Sequence, residues 1–167
     1  PVHRAPGPAP APFAPCSVSV SSVVNRFPVM ARPAPYGPLM RPFAAQDALG
    51  IAADLIFVDS CQIPGVLFDL GSFPGAVPAG DLPPPPDPES PGDPLVRGEL
   101  FRIADPSVLP VIDAYEGYDP HRPASSLFLR RRIRLREPEG QAAWVYMYNG
   151  PVDDATRIPS GDWRTHE

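Results

Sequence analysis

Residues 127–148 read LFLRRRIRLREPEGQAAWVYMY, and this stretch decides the fold more than any other. In its first half aliphatic residues alternate with arginines, and the aliphatic positions on one face are Leu127, Leu129, Ile133 and Leu135. Its second half alternates small or aliphatic residues with three aromatic ones, Trp144, Tyr146 and Tyr148. A period of two residues is typical of half-buried strands, and the polar EPEGQ segment between the halves suits a turn. The stretch therefore predicts a β-hairpin.

Three further strands are predicted upstream of the hairpin. The runs LIFV (55–58) and GVLFDL (65–70) are rich in β-branched and aromatic residues and are separated by turn residues. The run LVRGELFRI (95–103) is a third, and Gly98 within it indicates a bulge or a close backbone approach. With one helix before the hairpin, this order predicts an α+β fold with a curved, mainly antiparallel sheet.

That helix is predicted within residues 105–117, DPSVLPVIDAYEG. Asp105 can cap its start, Gly117 supplies the left-handed residue that ends it, and a buried stripe is expected at Leu109, Ile112 and Tyr115. Glu116 lies at the helix end, where desolvation and the negative end of the helix would raise its pKa and make it a base near neutral pH. From these residues alone, a solvated helix end is the simpler interpretation.

Proline divides the chain into folded and irregular parts. Of the 28 prolines, 11 lie in residues 1–42 and 7 in residues 83–94, and proline cannot donate to a helix or a central strand. We therefore expect residues 1–29 to be a disordered extension, residues 30–167 to form one folded domain, and residues 83–94 to form an exposed loop within it.

Charge and cysteine content exclude several classes of function. The net charge is −5, so we predict no nucleic-acid partner, and the arginines of residues 130–136 are interpreted as a solvated strand face. No lysine is present, which excludes Schiff-base chemistry on a lysine. Cys16 and Cys61 lack metal-ligand spacing and are expected as reduced thiols of a cytoplasmic protein, and no apolar run is long enough to span a bilayer. No oligomeric state is predicted.

Motifs for nucleotides and metals are absent from the sequence. There is no P-loop, GxGxxG, GxSxG or HExxH pattern. The aspartates Asp153, Asp154 and Asp162 could ligate a cation, but aspartate-rich turns explain them more simply. We therefore predict no metal site and no cofactor.

Seven fragments, in this order, resemble the gamma-glutamylcyclotransferase-like, or AIG2-like, family. They are YGPLM (36–40), PGVLFDLGSFPGAV (64–77), VRGELFRI (96–103), VIDAYEGY (111–118), SSLFLRRRIRL (125–135), VYMYNG (145–150) and RIPSGDW (157–163). The resemblance covers about residues 34–164 and implies a small mixed, mainly antiparallel β-barrel with flanking short helices around a cavity.

The resemblance also implies a substrate and a site. The family holds the α-amino acid end of a γ-glutamyl substrate with the backbone of a loop that maps here to Tyr36, Gly37, Pro38 and Leu39. Its acid/base glutamate maps to Glu116, which implies cyclisation to 5-oxoproline with release of the amine and without a cofactor. Tyr146 or Tyr148 could line the pocket, with core or rim packing as the alternative for either, and Tyr148 is assigned to substrate binding.

The sequence departs from the family at the loop. Pro38 stands where the family has serine or threonine, which removes a hydroxyl and a backbone N–H. Pro33 and Pro35 precede the loop, and we expect them to be incompatible with a central strand there. Two alternatives to an active enzyme therefore stay open: a catalytically impaired member that binds a small ligand, and an interaction module built on the proline-rich segments.

Overall fold

The computed structural model describes residues 33–41, 43–82 and 94–166. The predicted extension at residues 1–29 and nearly all of the proline-rich loop at 83–94 lie outside these residues, so the predicted domain bounds stay predictions. No helix in the described ranges is long and apolar enough to cross a membrane.

The described part contains seven strands and two α-helices. The strands are β1 (Leu55–Pro64), β2 (Val66–Asp69), β3 (Pro74–Val77), β4 (Leu95–Ile103), β5 (Phe128–Arg134), β6 (Ala142–Tyr148) and β7 (Thr156–Arg157). The helices are α1 (Ala45–Ala48) and α2 (Leu109–Tyr115), with 3₁₀ turns at Ala52–Asp54, Ala79–Asp81, Pro106–Val108, Pro123–Ser125 and Trp163–Thr165.

Every ladder between these strands is antiparallel. β1 pairs with β4, β2 pairs with both β3 and β7, and β5 pairs with β6. These pairs confirm a mixed α+β fold with mostly antiparallel sheets and few helices. The ladders form three separate sheets among the described residues, so closure into a barrel stays a prediction.

The hairpin predicted from residues 127–148 is confirmed. Its register runs from Phe128 opposite Tyr148 to Arg134 opposite Ala142. On β6 the alternation separates two parts of the core, because Ala143, Val145 and Met147 pack in one buried cluster and Tyr146 packs in another. The hairpin thus separates an inner apolar cluster from the side of the sheet on which Tyr146 lies.

Residues 33–36 lie between β4 and β6 but form no regular strand, as expected from Pro33 and Pro35, and among the described residues their only bridge joins Pro33 to Trp144. The carbonyl oxygens of Pro33 and Pro35 accept hydrogen bonds from the N–H groups of Phe101 and Glu99 on β4, both at 3.0 Å. On the opposite side the N–H of Ala34 donates to the carbonyl of Trp144 on β6, also at 3.0 Å.

The alternation of the backbone explains why proline is tolerated here. Successive residues of an extended segment direct their polar groups to opposite sides, and both prolines face β4, where the segment only accepts. Because they lack an N–H, the two prolines cannot donate hydrogen bonds to β4. The segment still accepts hydrogen bonds from β4 and donates one to β6.

Close packing of backbone fixes this segment against β4. A Cβ atom at Gly98 would lie 2.7 Å from the carbonyl oxygen of Pro35. Gly98 therefore marks the close backbone approach that its place in a strand predicted.

The end of α2 forms a Schellman motif at the predicted glycine. Gly117 has φ +63°, its N–H donates to the Ala114 carbonyl at 3.2 Å, and the Tyr118 N–H donates to the Asp113 carbonyl at 2.8 Å. Asp105 caps the 3₁₀ turn that leads into the helix, as predicted, by accepting from the Ser107 N–H. The predicted buried stripe was wrong at Tyr115, because Ile112 is 1% exposed and Tyr115 is 43% exposed.

Candidate active site

The loop before α1 and the end of α2 enclose a cavity of about 300 Å³. Its lining is mostly apolar and aromatic, with one carboxylate, as is usual for small-ligand sites. The lining residues are Pro35, Tyr36, Gly37, Pro38, Leu39, Ser72, Phe73, Pro74, Tyr115, Glu116, Leu127, Phe128 and Tyr146. Five of the six residues predicted for the site thus line one cavity.

Short hydrogen bonds hold the loop of residues 36–39 in place. The Met40 N–H donates to the Gly37 carbonyl at 2.8 Å and closes a turn. The Gln46 side chain on α1 donates to the Leu39 carbonyl at 2.5 Å. Because the loop follows directly from the segment between β4 and β6, the sheets and α1 together set its position.

Tyr36 anchors the loop to the cavity wall. Its hydroxyl donates to the Tyr146 carbonyl at 2.5 Å and accepts from the Ala76 N–H at 3.1 Å. Burial, with a smaller contribution from the negative charge of Glu116, raises the pKa of Tyr36 far above its usual range. The hydroxyl therefore stays protonated and engaged with the backbone, which makes Tyr36 a fixed part of the wall.

Among the described residues that line the cavity, Glu116 is the single carboxylate. It follows the last residue of α2, and the positive φ of Gly117 turns the chain away immediately after it. Within the described ranges its carboxylate has no hydrogen bond or ion pair. Glu116 is only partly exposed to solvent. Burial raises its pKa from 4.5 to about 8. This is the setting of a carboxylate that exchanges a proton near neutral pH.

Two residues of the cavity lining have backbone N–H groups that are not paired within the described part of the chain. Among the described residues, neither the Gly37 N–H nor the Leu39 N–H has a protein acceptor, and both residues line the cavity. Pro38 lies between them without an N–H. The loop therefore offers two backbone donors to a ligand instead of three.

Behind the cavity lies an ionic network that the sequence did not suggest. The Tyr146 hydroxyl donates to Asp113 Oδ1 at 2.6 Å, and Arg130 Nη1 lies 2.9 Å and 2.8 Å from Asp113 Oδ1 and Oδ2. Asp113 is 9% exposed, one helical turn before Glu116. Nothing in the local sequence around Asp113 indicates that its side chain is buried. Its burial depends on the contacts with Arg130 and Tyr146, which are distant in the chain.

Tyr148 does not line the cavity. Its ring packs edge-on against Phe128, with the ring centroids 5.7 Å apart, and it borders a separate surface groove near Asp153 and Asp154. Tyr146, the alternative considered from the sequence, occupies the cavity wall.

The aspartates considered as cation ligands do not assemble a site. Asp162 caps the 3₁₀ turn Trp163–Thr165 and binds the Arg164 side chain at 2.9 Å. In the described part of the chain, no group of three or more histidine, cysteine, aspartate or glutamate side chains could hold a metal ion.

The sequence of most of the chain is similar to known proteins. The family model described as gamma-glutamyl cyclotransferase, AIG2-like, matches residues 34–165. The gamma-glutamylcyclotransferase family protein YtfP of Escherichia coli K12 is 36% identical over 97 residues, which span 58% of this chain and 66% of that protein. The corresponding protein of Citrobacter rodentium is 35% identical over 97 residues, 58% of this chain and 65% of its own. Each alignment thus spans just under two thirds of the relative.

Solved structures share the fold over a longer stretch. The solution NMR structure of ytfP from Escherichia coli matches with a TM-score of 0.54 and 27% identity, covering 80% of this chain and 96% of that one. The crystal structure of PH0828 from Pyrococcus horikoshii matches with a TM-score of 0.54 and 16% identity, covering 80% and 89% of the two chains. At that identity the second match speaks for the fold alone.

Proposed function

Because this chain belongs to the gamma-glutamyl cyclotransferase, AIG2-like family, we propose that it cyclises a γ-glutamyl amine or γ-glutamyl amino acid to 5-oxoproline and releases the amine. One observation carries the proposal: Glu116, with its pKa raised to about 8, is the single carboxylate among the described residues that line a cavity, and the loop of residues 36–39 lines the same cavity. In this proposal Glu116 is the general acid/base, and residues 36–39 bind the substrate.

The first step is removal of a proton from the substrate's α-ammonium group. A carboxylate with a pKa of about 8 is close in basicity to an α-amine, so the transfer is nearly balanced in free energy. The cationic ammonium also favours the ionised carboxylate when it binds beside it. Burial thus makes Glu116 a stronger base than an exposed glutamate, and the substrate itself favours its ionisation.

Ring closure is the second step. The freed α-amine attacks the γ-carbonyl carbon of the same molecule, a C–N bond forms, and the carbonyl electrons move onto oxygen. The protein's contribution is to hold the folded conformer, since the nucleophile and electrophile are already tethered. The N–H groups of Gly37 and Leu39 are the backbone donors available to an anionic oxygen or to the substrate carboxylate.

Collapse of the tetrahedral intermediate completes the reaction. The oxyanion re-forms the carbonyl, the bond from the γ-carbon to the departing nitrogen breaks, and Glu116 returns its proton to that nitrogen. The ring nitrogen, which still carries two hydrogens after the attack, then gives one to the ionised Glu116, and Glu116 passes it to the released amine or to water. The products are 5-oxoproline and the free amine, with no change of oxidation state. Because the atoms, electrons and protons balance, the proposed chemistry uses no cofactor.

A second candidate function is binding without turnover. Pro38 favours it, since this residue lines the cavity and lacks the N–H that any other residue would bring to the loop. In that case the cavity would hold a γ-glutamyl ligand while the transition state lacked a donor.

The two functions are separated by one assay on the full chain. Wild-type protein is incubated with γ-glutamyl methylamide, γ-glutamyl benzylamide, γ-glutamylglycine and γ-glutamylalanine, and 5-oxoproline is quantified by mass spectrometry while calorimetry measures binding. Release of 5-oxoproline from one of them supports the enzyme. Binding without release supports the second candidate, and neither binding nor release contradicts both.

A further inference from the structure

The network behind the cavity joins the helix that bears Glu116 to both strands of the hairpin. Asp113 lies on α2, Arg130 on β5 and Tyr146 on β6, and Arg130 contacts both oxygens of Asp113. The side chains of Arg130 and Asp113 are 18% and 12% exposed, so the pair is largely removed from water. A buried, multiply bonded ion pair fixes relative positions because losing one partner leaves an uncompensated charge.

The same residues complete the helix end. The backbone carbonyl of Asp113 accepts the Tyr118 N–H of the Schellman motif, while its side chain holds Arg130. The Arg130 guanidinium lies over the Tyr118 ring at 5.3 Å, and that ring meets Tyr146 edge-on at 6.4 Å. Glu116 lies between Asp113 and Tyr118 in the chain, so both ends of its segment are held by one network.

The ionisable groups around Glu116 come from several elements. The 33–39 segment presents Tyr36, β6 presents Tyr146 and α2 presents Tyr115, all with pKa values raised by burial and therefore neutral near neutral pH. The 72–74 segment contributes no ionisable group to the lining. Asp113 and Arg130, one helical turn before Glu116, pair with each other, and Asp119 and Arg122, which follow it in the chain, form a second pair.

We propose that Asp113 and Arg130 are a charge-balanced positioning pair for Glu116, coupled to the cavity wall through the Tyr146 hydroxyl. Neither residue lines the cavity, so they act through Glu116 and Tyr146. The proposal builds on the proposed function, in which Glu116 is the acid/base.

Opposite shifts in the Glu116 titration test the charge balance. The full chain is labelled with ¹³C at the glutamate carboxyl carbons, and the Glu116 signal is identified by its loss in Glu116→Gln. Arg130→Met leaves the negative charge of Asp113 and is expected to raise the Glu116 pKa by about one unit. Asp113→Asn leaves the positive charge and is expected to lower it by about as much. The double variant removes both charges and is expected to return close to the wild-type value.

Arg131→Met is the matched control. Arg131 is the next residue on β5 and pairs at 3.0 Å with Asp81, where both side chains are well exposed. It is expected to leave the Glu116 titration unchanged. If Arg130→Met does not fold, the shift in Asp113→Asn and its reversal in the double variant carry the test. Single variants that shift in the same direction, or not at all, overturn the proposal.

Turnover separates charge from geometry. Arg130→Lys keeps the charge but loses the planar guanidinium, so the Glu116 titration should stay near wild type while kcat falls about tenfold with KM little changed. If the wild type releases 5-oxoproline and Arg130→Lys keeps its kcat, the positioning role is wrong and the proposed function stands. If the wild type releases none, the proposed function fails, and the titration still decides the charge balance.

Discussion

At the scale of single residues, burial of Glu116 makes its ionisation lower the stability of the fold. A carboxyl group whose pKa rises from 4.5 to about 8 on folding holds its proton more tightly in the folded state than in the unfolded state. The contribution of Glu116 to the free energy of unfolding is therefore greatest below the unfolded pKa, and it falls as the pH rises from about 4.5 to about 8. Such a cost is typical of residues retained for function.

Removal of this charge should stabilise the protein at alkaline pH. Each pKa unit corresponds to about 1.4 kcal/mol, and partial solvent access lowers the full effect, so we expect Glu116→Gln to gain about 2 kcal/mol at pH 9. The gain should be much smaller at pH 5, which lies close to the unfolded pKa of 4.5, because most of the loss of stability occurs between that pH and about 8. Denaturant unfolding at pH 5, 7 and 9 measures it, with the exposed Glu139→Gln as the control. A destabilised Glu116→Gln at pH 9 would contradict the burial of this charge.

The same pKa predicts the pH dependence of the reaction. If Glu116 must be ionised to accept the ammonium proton, kcat/KM should rise tenfold per pH unit below a pKa of about 8. Rates of 5-oxoproline release between pH 5 and 9 give this profile. A profile that is flat from pH 5 to 8 would show that this carboxyl group does not control the step.

At the scale of elements, the segment 33–36 decides where the loop of residues 36–39 lies. It reaches β4 through the carbonyls of Pro33 and Pro35 and β6 through the N–H of Ala34. A second bridge joins Gln62 on β1 to Glu137 beyond β5. These two links connect the sheets, and the barrel implied by family resemblance would need them.

Gly98→Ala tests the close approach of this segment to β4. The new Cβ would lie 2.7 Å from the Pro35 carbonyl oxygen, so the backbone must move, and we expect a loss of about 2 kcal/mol in unfolding free energy with lower turnover. Gly80→Ala is the control, since its Cβ would meet nothing within 4 Å. Equal stability of the two variants in denaturant unfolding would refute the packing of residues 33–36 on β4.

Gly117→Ala tests the helix end apart from general strain. Gly117 and Gly50 both have positive φ, +63° and +68°, so alanine at either should cost about 1 kcal/mol of stability. Gly117→Ala should cost somewhat more, because its Cβ would lie 3.2 Å from the Leu127 Cβ while a Cβ at Gly50 would meet nothing within 4 Å. Only Gly117 follows Glu116, and we expect only that variant to lose turnover beyond its loss of stability. Comparable kcat values for the two variants would argue against a precise position for Glu116.

At the scale of the whole molecule, local periodicity predicted much of the secondary structure. The features that it did not predict depend on long-range contacts. The hairpin was predictable because alternation along residues 127–148 depends only on neighbouring residues, and Gly117 because a helix end needs a left-handed residue. The place of Pro33 and Pro35 was not, since it depends on which neighbour faces each carbonyl. Likewise, Asp113 is buried only because Arg130 and Tyr146 arrive from the hairpin.

Resemblance brought the site together where spacing alone did not. Tyr36 and Glu116 are 80 positions apart, and no local pattern pairs them. The structure places both in the lining of one cavity, and this lining includes Tyr146 but not Tyr148. Residue roles within that cavity are the part that experiments must now establish.

The fragment 30–167 should retain the domain's behaviour. The family match begins at residue 34, and the contacts that hold the binding loop begin at Pro33. Residues 1–29 are predicted from their proline content to be a disordered extension, and deleting such a segment changes stability little, so we expect this fragment to unfold within about 2 °C of the full chain. Thermal unfolding followed by 5-oxoproline release measures both properties. A fragment that fails to fold would show that the preceding residues belong to the domain.

The most direct test of the central claim is 5-oxoproline release by wild-type protein and by Glu116→Gln, with Glu139→Gln as the matched control. Loss of a general acid/base should lower kcat by about 10²- to 10⁴-fold, while calorimetry shows that the γ-glutamyl substrate still binds and circular dichroism shows an unchanged fold. Glu139→Gln should match the wild type. A Glu116→Gln protein that binds, folds and turns over at the wild-type rate would contradict the account.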